Sequence, residues 1–221
     1  MTKENLLQKY DNVNPVTLEY LLNTGLKRPL ILDVGCWVGT LGSALRRKGV
    51  DCSVVGIDVN AEALEVAKTK SGYSNVYCLD VNTLEASGLS DENYDVIVFG
   101  DVLEHIVDPG RLLRCLLPKL STGGCLIVSL PNVAFLKYRL LHLIGNWDYT
   151  ETGIMDKTHL RFFTLYSMRK LFVDNGLRVV EYKPLTAVSN IYWPVKLLAK
   201  IWPSMFALQI IFKLKLKEKN I

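Results

Sequence analysis

Two groups of residues in this 221-residue chain have types and spacings suited to chemistry. The first begins at residues 32–42, LDVGCWVGTLG, a glycine-rich turn after an apolar run. Gly35 and Gly39 let the backbone come close to a ligand. A helix starting near Thr40 turns its free N–H groups and positive dipole end toward the same place. Two further apolar runs also end in aspartate: Asp58 in VVGIDVN, 23 positions after Gly35, and Asp80 in VYCLDVN. A carboxylate at Asp58 can accept both hydroxyls of an adenosine ribose. Asp80 can accept from an adenine amine, with Val59 and Val81 flanking the ring. Three strands ending Asp33-Val, Asp58-Val and Asp80-Val read better as one nucleoside site than as three solvated loop acids. Trp37 occupies the middle of the turn, where many such turns carry a third close-spaced glycine. A pyrophosphate would make every glycine there count. A ligand that brings only an amino-acid moiety accepts Trp37 more readily, provided the ring turns outward. A purely structural turn is the remaining reading, because a glycine motif alone is a weak signal.

The second group is built on histidine, of which the chain has three. His105 lies in DVLEH, directly after an apolar run, and His159 in the polar segment DKTHLRFF. Imidazole is the side chain best matched to proton transfer near neutral pH. The plainer readings are a helix-start residue bonded to Glu104 or backbone for His105, and a loop anchor for His159. Tyr149, Asp156 and Arg161 lie in the same late segment and could also face an acceptor. His142 sits mid-helix in RLLHLIG with no acid nearby and reads as structural.

The elements that must hold these groups follow from periodicity. Strands are predicted at Pro29–Val34, Ser53–Asp58, Val76–Leu79, Tyr94–Phe99, Cys125–Leu130 and Leu177–Lys183, with a seventh over residues 206–217. Helices are predicted near Thr40–Lys48, Ala61–Thr69, Pro109–Leu120, Val133–Ile144 and Leu165–Asn175. An earlier helix starts at Asn14-Pro15 and stops at Gly25. Apolar β-branched runs alternating with helices imply βαβ units and a parallel sheet buried on both faces. The two last strands, joined by a short helical crossover, suggest an antiparallel addition.

Composition agrees with a globular α/β chain: 49 % hydrophobic and 22 % charged. The five cysteines (36, 52, 78, 115 and 125) include no CxxC pair and read as reduced thiols. The polar start, MTKENLLQKYDN, lacks the apolar stretch of a secretory leader, so a cytoplasmic location is expected. Of the net charge of +4, residues 213–221 hold four lysines and one glutamate, so the body is close to neutral. That argues against a nucleic-acid-binding face.

Taken together, LDVGCWVG, GIDVN, CLDV, YDVIVFGDVLEHIVDP, LPKLSTGGCLIVSLPN and DKTHLRFFTLYSMRKLFVDNGLRVV resemble the class I S-adenosylmethionine-dependent methyltransferases over nearly the whole chain. The last segment is similar to a branch associated in part with sugar or cell-envelope biosynthesis. The resemblance implies a Rossmann-like α/β fold with a seven-stranded sheet of order 3-2-1-4-5-7-6, strand seven antiparallel. It implies one domain over residues 1–221: an N-terminal helical cap (1–27), a cofactor-binding half (28–132) and an acceptor side (133–221). S-adenosylmethionine would be the cofactor and S-adenosylhomocysteine its product. Asp33, Gly35, Cys36, Trp37 and Gly39 would surround the methionyl group, and Asp58 would hold the ribose. Asp80 with Val59 and Val81 would hold adenine, and Asp101 and Val102 would lie near the sulfonium. His105 and His159 are the candidate bases, and the expected acceptor is a hydroxyl of a small glycan, lipid-linked or similar metabolite. Trp37 departs from the commoner Gly-x-Gly core of the family motif.

Three alternatives compete. Asp101, Glu104 and His105, at i, i+3 and i+4, share one face of a helical turn and with His159 could hold a divalent metal. Asp101 already has a cofactor-side role, so no metal ligand is assigned. A short-chain dehydrogenase would use Ser129 with Tyr166 and Lys170, but Ser129 and Tyr166 stand 37 positions apart, where that family keeps them about a dozen apart. A non-catalytic cofactor-binding protein would keep the aspartate and glycine set alone. Residues 191–212, IYWPVKLLAKIWPSMFALQIIF, are strongly apolar but are broken by Pro194, Lys196, Lys200 and Pro203, which excludes a transmembrane helix. An aromatic, basic helix there could make weak peripheral contact with an anionic membrane through 191–221, or cover the sheet. The apolar tail also leaves room for a homodimer.

Overall fold

The computed structural model describes residues 13–70, 72–83, 89, 92–186 and 193–218, with the side chains of 193–196 left undescribed. The first 12 residues of the expected cap, and residues 191–192 and 219–221 of the tail, lie outside this description. Among the described residues the strands are β1 (Leu30–Val34), β2 (Ser53–Asp58), β3 (Asn75–Cys78), β4 (Tyr94–Gly100), β5 (Leu120–Pro131), β6 (Leu177–Leu185) and β7 (Gln209–Leu216). They form one sheet in the order β3-β2-β1-β4-β5-β7-β6, as expected. β1 runs parallel to β2 and to β4, β2 runs parallel to β3, and β6 and β7 are antiparallel.

The chain divides into two compact units: one ends at Gly100 and resumes over Arg111–Ile127, the other holds Asp101–Gly110 and the chain from Val128 on. In the first, Ile31, Leu32, Val34, Val54, Val55, Ile57, Val96, Ile97, Val98 and Phe99 are buried, as central parallel strands require. Each such side chain contributes about 1.5–3 kcal/mol by leaving water. Asp33 and Asp58 are the acids inside this apolar run, each at the carboxyl end of its strand. Three helices accompany the strands: α1 (Pro15–Leu22), α2 (Thr40–Arg47) and α3 (Ala61–Thr69). Asn14 caps α1 through Val16 N–H with Pro15 in the first turn, and Asn60 caps α3 through Ala63 N–H. The next helix, α4 (Pro109–Leu116), leads into β5.

In the second unit the core is formed by Met168, Phe172, Leu177, Ile210, Ile211, Phe212 and Leu214. Its elements are a 3₁₀ turn (Leu103–His105) and helices α5 (Leu136–Leu143), α6 (Leu165–Asp174), α7 (Trp193–Ile201) and α8 (Pro203–Phe206). A Thr164/Ser167 capping box starts α6.

Boundaries differ from expectation in three places. The seventh strand begins at Gln209, not at 206, because Pro203 starts the short helix α8. The helix expected to reach Leu120 ends at Leu116, and Pro118 turns the chain as 3₁₀ into a longer fifth strand. The helix expected from Val133 starts at Leu136. No described helix is long and apolar enough to cross a membrane.

Candidate active site

The glycine turn is held by β2. Gly35 and Cys36 N–H both donate to the Ile57 carbonyl, at 2.8 and 3.0 Å. Gly35 and Gly39 have φ of 71° and 74°, a region that costs glycine nothing. Trp37 adopts φ 48°, a conformation that costs a bulky residue about 1–3 kcal/mol. Its N–H donates to Asp58 Oδ2 at 2.9 Å, which offsets part of that strain. The ring is half-buried. Asp58 Oδ1 accepts from Asn60 N–H at 2.8 Å, so each oxygen holds the turn with one lone pair and keeps another. Helix α2 follows Gly39 with no side-chain cap.

Asp33 is buried and accepts a hydrogen bond from the Tyr73 hydroxyl at 2.5 Å. Burial pushes its carboxyl up to about 7; the nearby Asp58 adds to the rise and the Tyr73 bond opposes it. Cys36 is buried, and burial with Asp33 and Asp58 nearby pushes its thiol up, so it is no nucleophile. Asp80 lies exposed in a turn, its Oδ1 accepting from Asn82 N–H at 2.9 Å. Val59 is 67 % exposed directly after β2, an apolar side chain the core does not use, and Val81 is half-buried.

In the second unit, Asp101 follows β4 with φ 58°. Its Oδ1 accepts from Ser129 Oγ at 2.7 Å and from Gln209 Nε2 at 2.5 Å. Val102 is buried. His105 Nδ1 lies 3.1 Å from the Thr158 carbonyl, and His159 Nδ1 lies 3.0 Å from the Ile154 carbonyl. A carbonyl only accepts, so each ring donates from Nδ1, and in the neutral form Nε2 is the nitrogen that carries the lone pair. The two rings meet edge to face, with centroids 4.8 Å apart. Burial lowers the His159 pKa and the neighbouring His105 adds to the lowering, which keeps the ring neutral. Glu104 is buried, and among the described residues its Oε2 has no hydrogen-bond partner. Desolvation pushes its carboxyl well above the usual range, with Asp101 adding to the rise. Its backbone carbonyl accepts from Leu160 and Arg161 N–H, which ties the His159 segment to the 3₁₀ turn.

The structure therefore brings His105 and His159 together. Glu104, His105 and His159 each offer a ligand atom, and these lie within 4.8 Å of one another. Asp101 is not among them; its Oδ1 is engaged by Ser129 and Gln209. Asp156 is buried and holds its own loop, accepting from Thr158 N–H and Oγ1. Arg161 donates to the Val107 carbonyl. His142 stacks on Trp147 at 4.0 Å, a packing role. Trp147 packs on Phe162, which also meets Tyr149 and His159. Residues that sequence reading did not place here are Tyr73, Ser129 as a partner of Asp101, and Gln209.

A profile of a methyltransferase domain family matches residues 9–182. A ubiquinone biosynthesis O-methyltransferase from Aeromonas salmonicida is 30 % identical over 185 residues, 79 % of this chain and 76 % of that one. A protein of the same name from Neisseria meningitidis serogroup C is 26 % identical over 181 residues, 79 % of this chain and 75 % of that one. Among solved structures, an S-adenosylmethionine-dependent methyltransferase from Archaeoglobus fulgidus superposes with a TM-score of 0.64 at 18 % identity, covering 98 % and 100 % of the two chains. Magnesium protoporphyrin IX methyltransferase from Synechocystis, solved with S-adenosylhomocysteine, gives 0.63 at 18 % identity, covering 97 % and 84 %. These superpositions concern the fold.

Proposed function

The chain belongs to the class I S-adenosylmethionine-dependent methyltransferases, and from that premise we propose that it methylates a hydroxyl oxygen of a small-molecule acceptor. The observation that carries this reading is the pair of imidazoles, His105 and His159, which meet edge to face with each Nδ1 on a backbone carbonyl, so that Nε2 is the nitrogen left to take a proton. S-adenosylmethionine supplies an activated methyl on a sulfonium. In the transfer the acceptor oxygen forms the new C–O bond as the S–CH₃ bond breaks. The hydroxyl proton passes to an imidazole Nε2, leaving a methyl ether and S-adenosylhomocysteine. The names of the related O-methyltransferases support oxygen as the target atom.

For the cofactor, Asp58 would hold the ribose with its two remaining lone pairs, and exposed Val59 and Val81 would flank adenine beside Asp80. Asp33, Gly35, Cys36, Trp37 and Gly39 would surround the methionyl end. Asp101 and Val102, directly after β4, would line the cofactor near its sulfonium, as the family resemblance implies.

Acid strength narrows the acceptor. A neutral imidazole takes a proton far more easily from a phenol, with a pKa of about 10, than from an alcohol nearer that of water, about 15.7. In the second unit, Leu143 and Ile144 are 82 % and 77 % exposed, and Trp147 and Tyr149 stand in the ring chain that reaches His159. These favour a phenolic metabolite with an apolar tail over a glycan. Exposed Leu197 and Ile201 on α7 fit weak contact with a membrane surface where such a compound resides. The test is transfer of labelled methyl to a long-chain alkylphenol in anionic vesicles, with a soluble oligosaccharide as competitor. Label is expected in the phenol as an ether. Label in the oligosaccharide, or on nitrogen, would overturn the acceptor reading.

The orphaned oxygen of Glu104 favours a second reading of the same cluster. Glu104, His105 and His159 offer the mixed nitrogen and oxygen donors of a divalent cation site. A cation there would polarise the acceptor hydroxyl. Under this reading chelated protein loses turnover, regains it with Mg²⁺ or Zn²⁺, and binds about one equivalent of metal. Unchanged turnover after chelation, with no metal retained, leaves the histidines as bases alone.

A further inference from the structure

Tyr73 is built into the first unit more deliberately than packing requires. Its ring fills a slot lined by glycines. A Cβ on Gly42 would stand 2.5 Å from ring atom Cε2, on Gly56 2.9 Å from Cε1, and on Gly39 3.1 Å from Cε2. Gly72, which precedes the tyrosine, crosses Gly42 so closely that a Cβ would lie 2.3 Å from that residue's carbonyl. Only glycine at these positions lets the ring reach under the turn. At its far end the phenol donates to Asp33 Oδ2 and accepts from Gly42 N–H at 3.3 Å. Gly42 belongs to α2, so one hydroxyl ties the carboxylate at the end of β1 to the helix that follows the turn.

We infer that Tyr73 is a positioning residue for the cofactor: its hydroxyl holds Asp33 as a carboxylate for the ammonium group at the cofactor's methionyl end. The inference rests on the cofactor reading above. Asp33 needs such help, because burial disfavours its charge and Asp58 repels it. The groups facing it are Tyr73, Asp58 and the thiol of Cys36. Without the phenol donor Asp33 keeps its proton to higher pH. A neutral acid meets an ammonium far less well than a carboxylate does.

The experiment is calorimetric titration with S-adenosylhomocysteine, which has the same methionyl-type end and no methyl to transfer, between pH 6 and 9. Wild type, Tyr73→Phe and Asp33→Asn are compared. Phenylalanine keeps the ring in its slot, and melting curves confirm that each variant is folded. Tyr73→Phe is expected to bind about five-fold more weakly than wild type at pH 7 and close to ten-fold more weakly at pH 6, with its pH midpoint about one unit higher. By pH 9 the two should agree within about two-fold, because both then hold an ionised Asp33. The wild-type-to-variant ratio cancels the titration of the ligand's own amino group. Asp33→Asn should be weak throughout and should not recover at high pH. A Tyr73→Phe defect that is the same at every pH, or no defect, would overturn the inference while leaving the cofactor reading intact. Absence of binding by wild type itself would overturn the cofactor reading and the inference with it.

Discussion

Asp58→Ala is expected to weaken S-adenosylmethionine binding by about 100-fold or more, read by calorimetry, and to lower the melting temperature as well. The two effects have one origin. In the unliganded chain the carboxylate accepts from Trp37 N–H and from Asn60 N–H, at 2.9 and 2.8 Å. Hydrogen bonds to a charged group are worth about 1.5–3 kcal/mol each. Losing the first removes a bond that offsets the left-handed conformation of Trp37, and losing the second loosens the entry into α3. A melting temperature lower by roughly 10 °C is expected for a chain of this size. The proposed ribose hydroxyls would use the two lone pairs that remain, so binding loses a pair of charge-assisted bonds on top of the distorted turn. Asp58→Asn separates the contributions. Its amide retains one acceptor but faces the other partner with a donor, so both losses should be intermediate. If Asp58→Ala destabilises the fold yet binds as wild type, Asp58 serves the turn alone and the ribose role fails.

How much of this was legible in the sequence depended on whether a local pattern carried it. β1 and β2 are legible because the runs LILDV and SVVGID are apolar, carry β-branched residues and end at an acid, as buried parallel strands do. β7 was placed too early because Phe206-Ala-Leu is as apolar as a strand. The helical start at Pro203 decided the matter, and the hydrophobic run concealed it. The two histidines proposed as bases are legible as residue types, His105 after an apolar run and His159 in a polar loop. Their tautomers are not, since those depend on carbonyls at Thr158 and Ile154. Gln209 stands 108 positions from Asp101, and nothing local to either announces the bond between them. Tyr73 in KSGYSN looks like any loop tyrosine. The glycines at 39, 42, 56 and 72 acquire a common purpose only when the ring is seen among them. Glu104 reads from the sequence as a partner of His105 or as one of three residues sharing a helical face with Asp101. Its burial is a tertiary fact, produced by the His159 segment folding back to donate to its carbonyl.

That same fold-back makes His159 the residue whose loss should slow the chemistry most. Burial and the neighbouring His105 both disfavour the charged form of its ring. Under the proposed reading it would meet a hydroxyl proton as a neutral acceptor. His159→Ala should lower kcat by about 10²–10³-fold, the usual contribution of a positioned base, while the cofactor Kd stays within about two-fold. A fall in kcat with unchanged cofactor binding marks an interaction made in the transition state rather than a damaged site. His159→Gln keeps a side-chain donor for the Ile154 carbonyl but offers no basic nitrogen, so it should be as slow as the alanine variant if proton transfer is the role. Recovery of most of the rate by glutamine would mean that His159 only anchors its loop. Glu104→Gln then divides the two readings of the cluster. It replaces the carboxyl with an amide of nearly the same shape that cannot become a carboxylate. If the histidines act as bases alone, a buried carboxyl whose charged form is disfavoured by burial and by Asp101 loses little by becoming an amide, and kcat should fall less than about ten-fold. If a divalent cation sits among Glu104, His105 and His159, the charge is a ligand, and both the bound metal and the rate should be lost together.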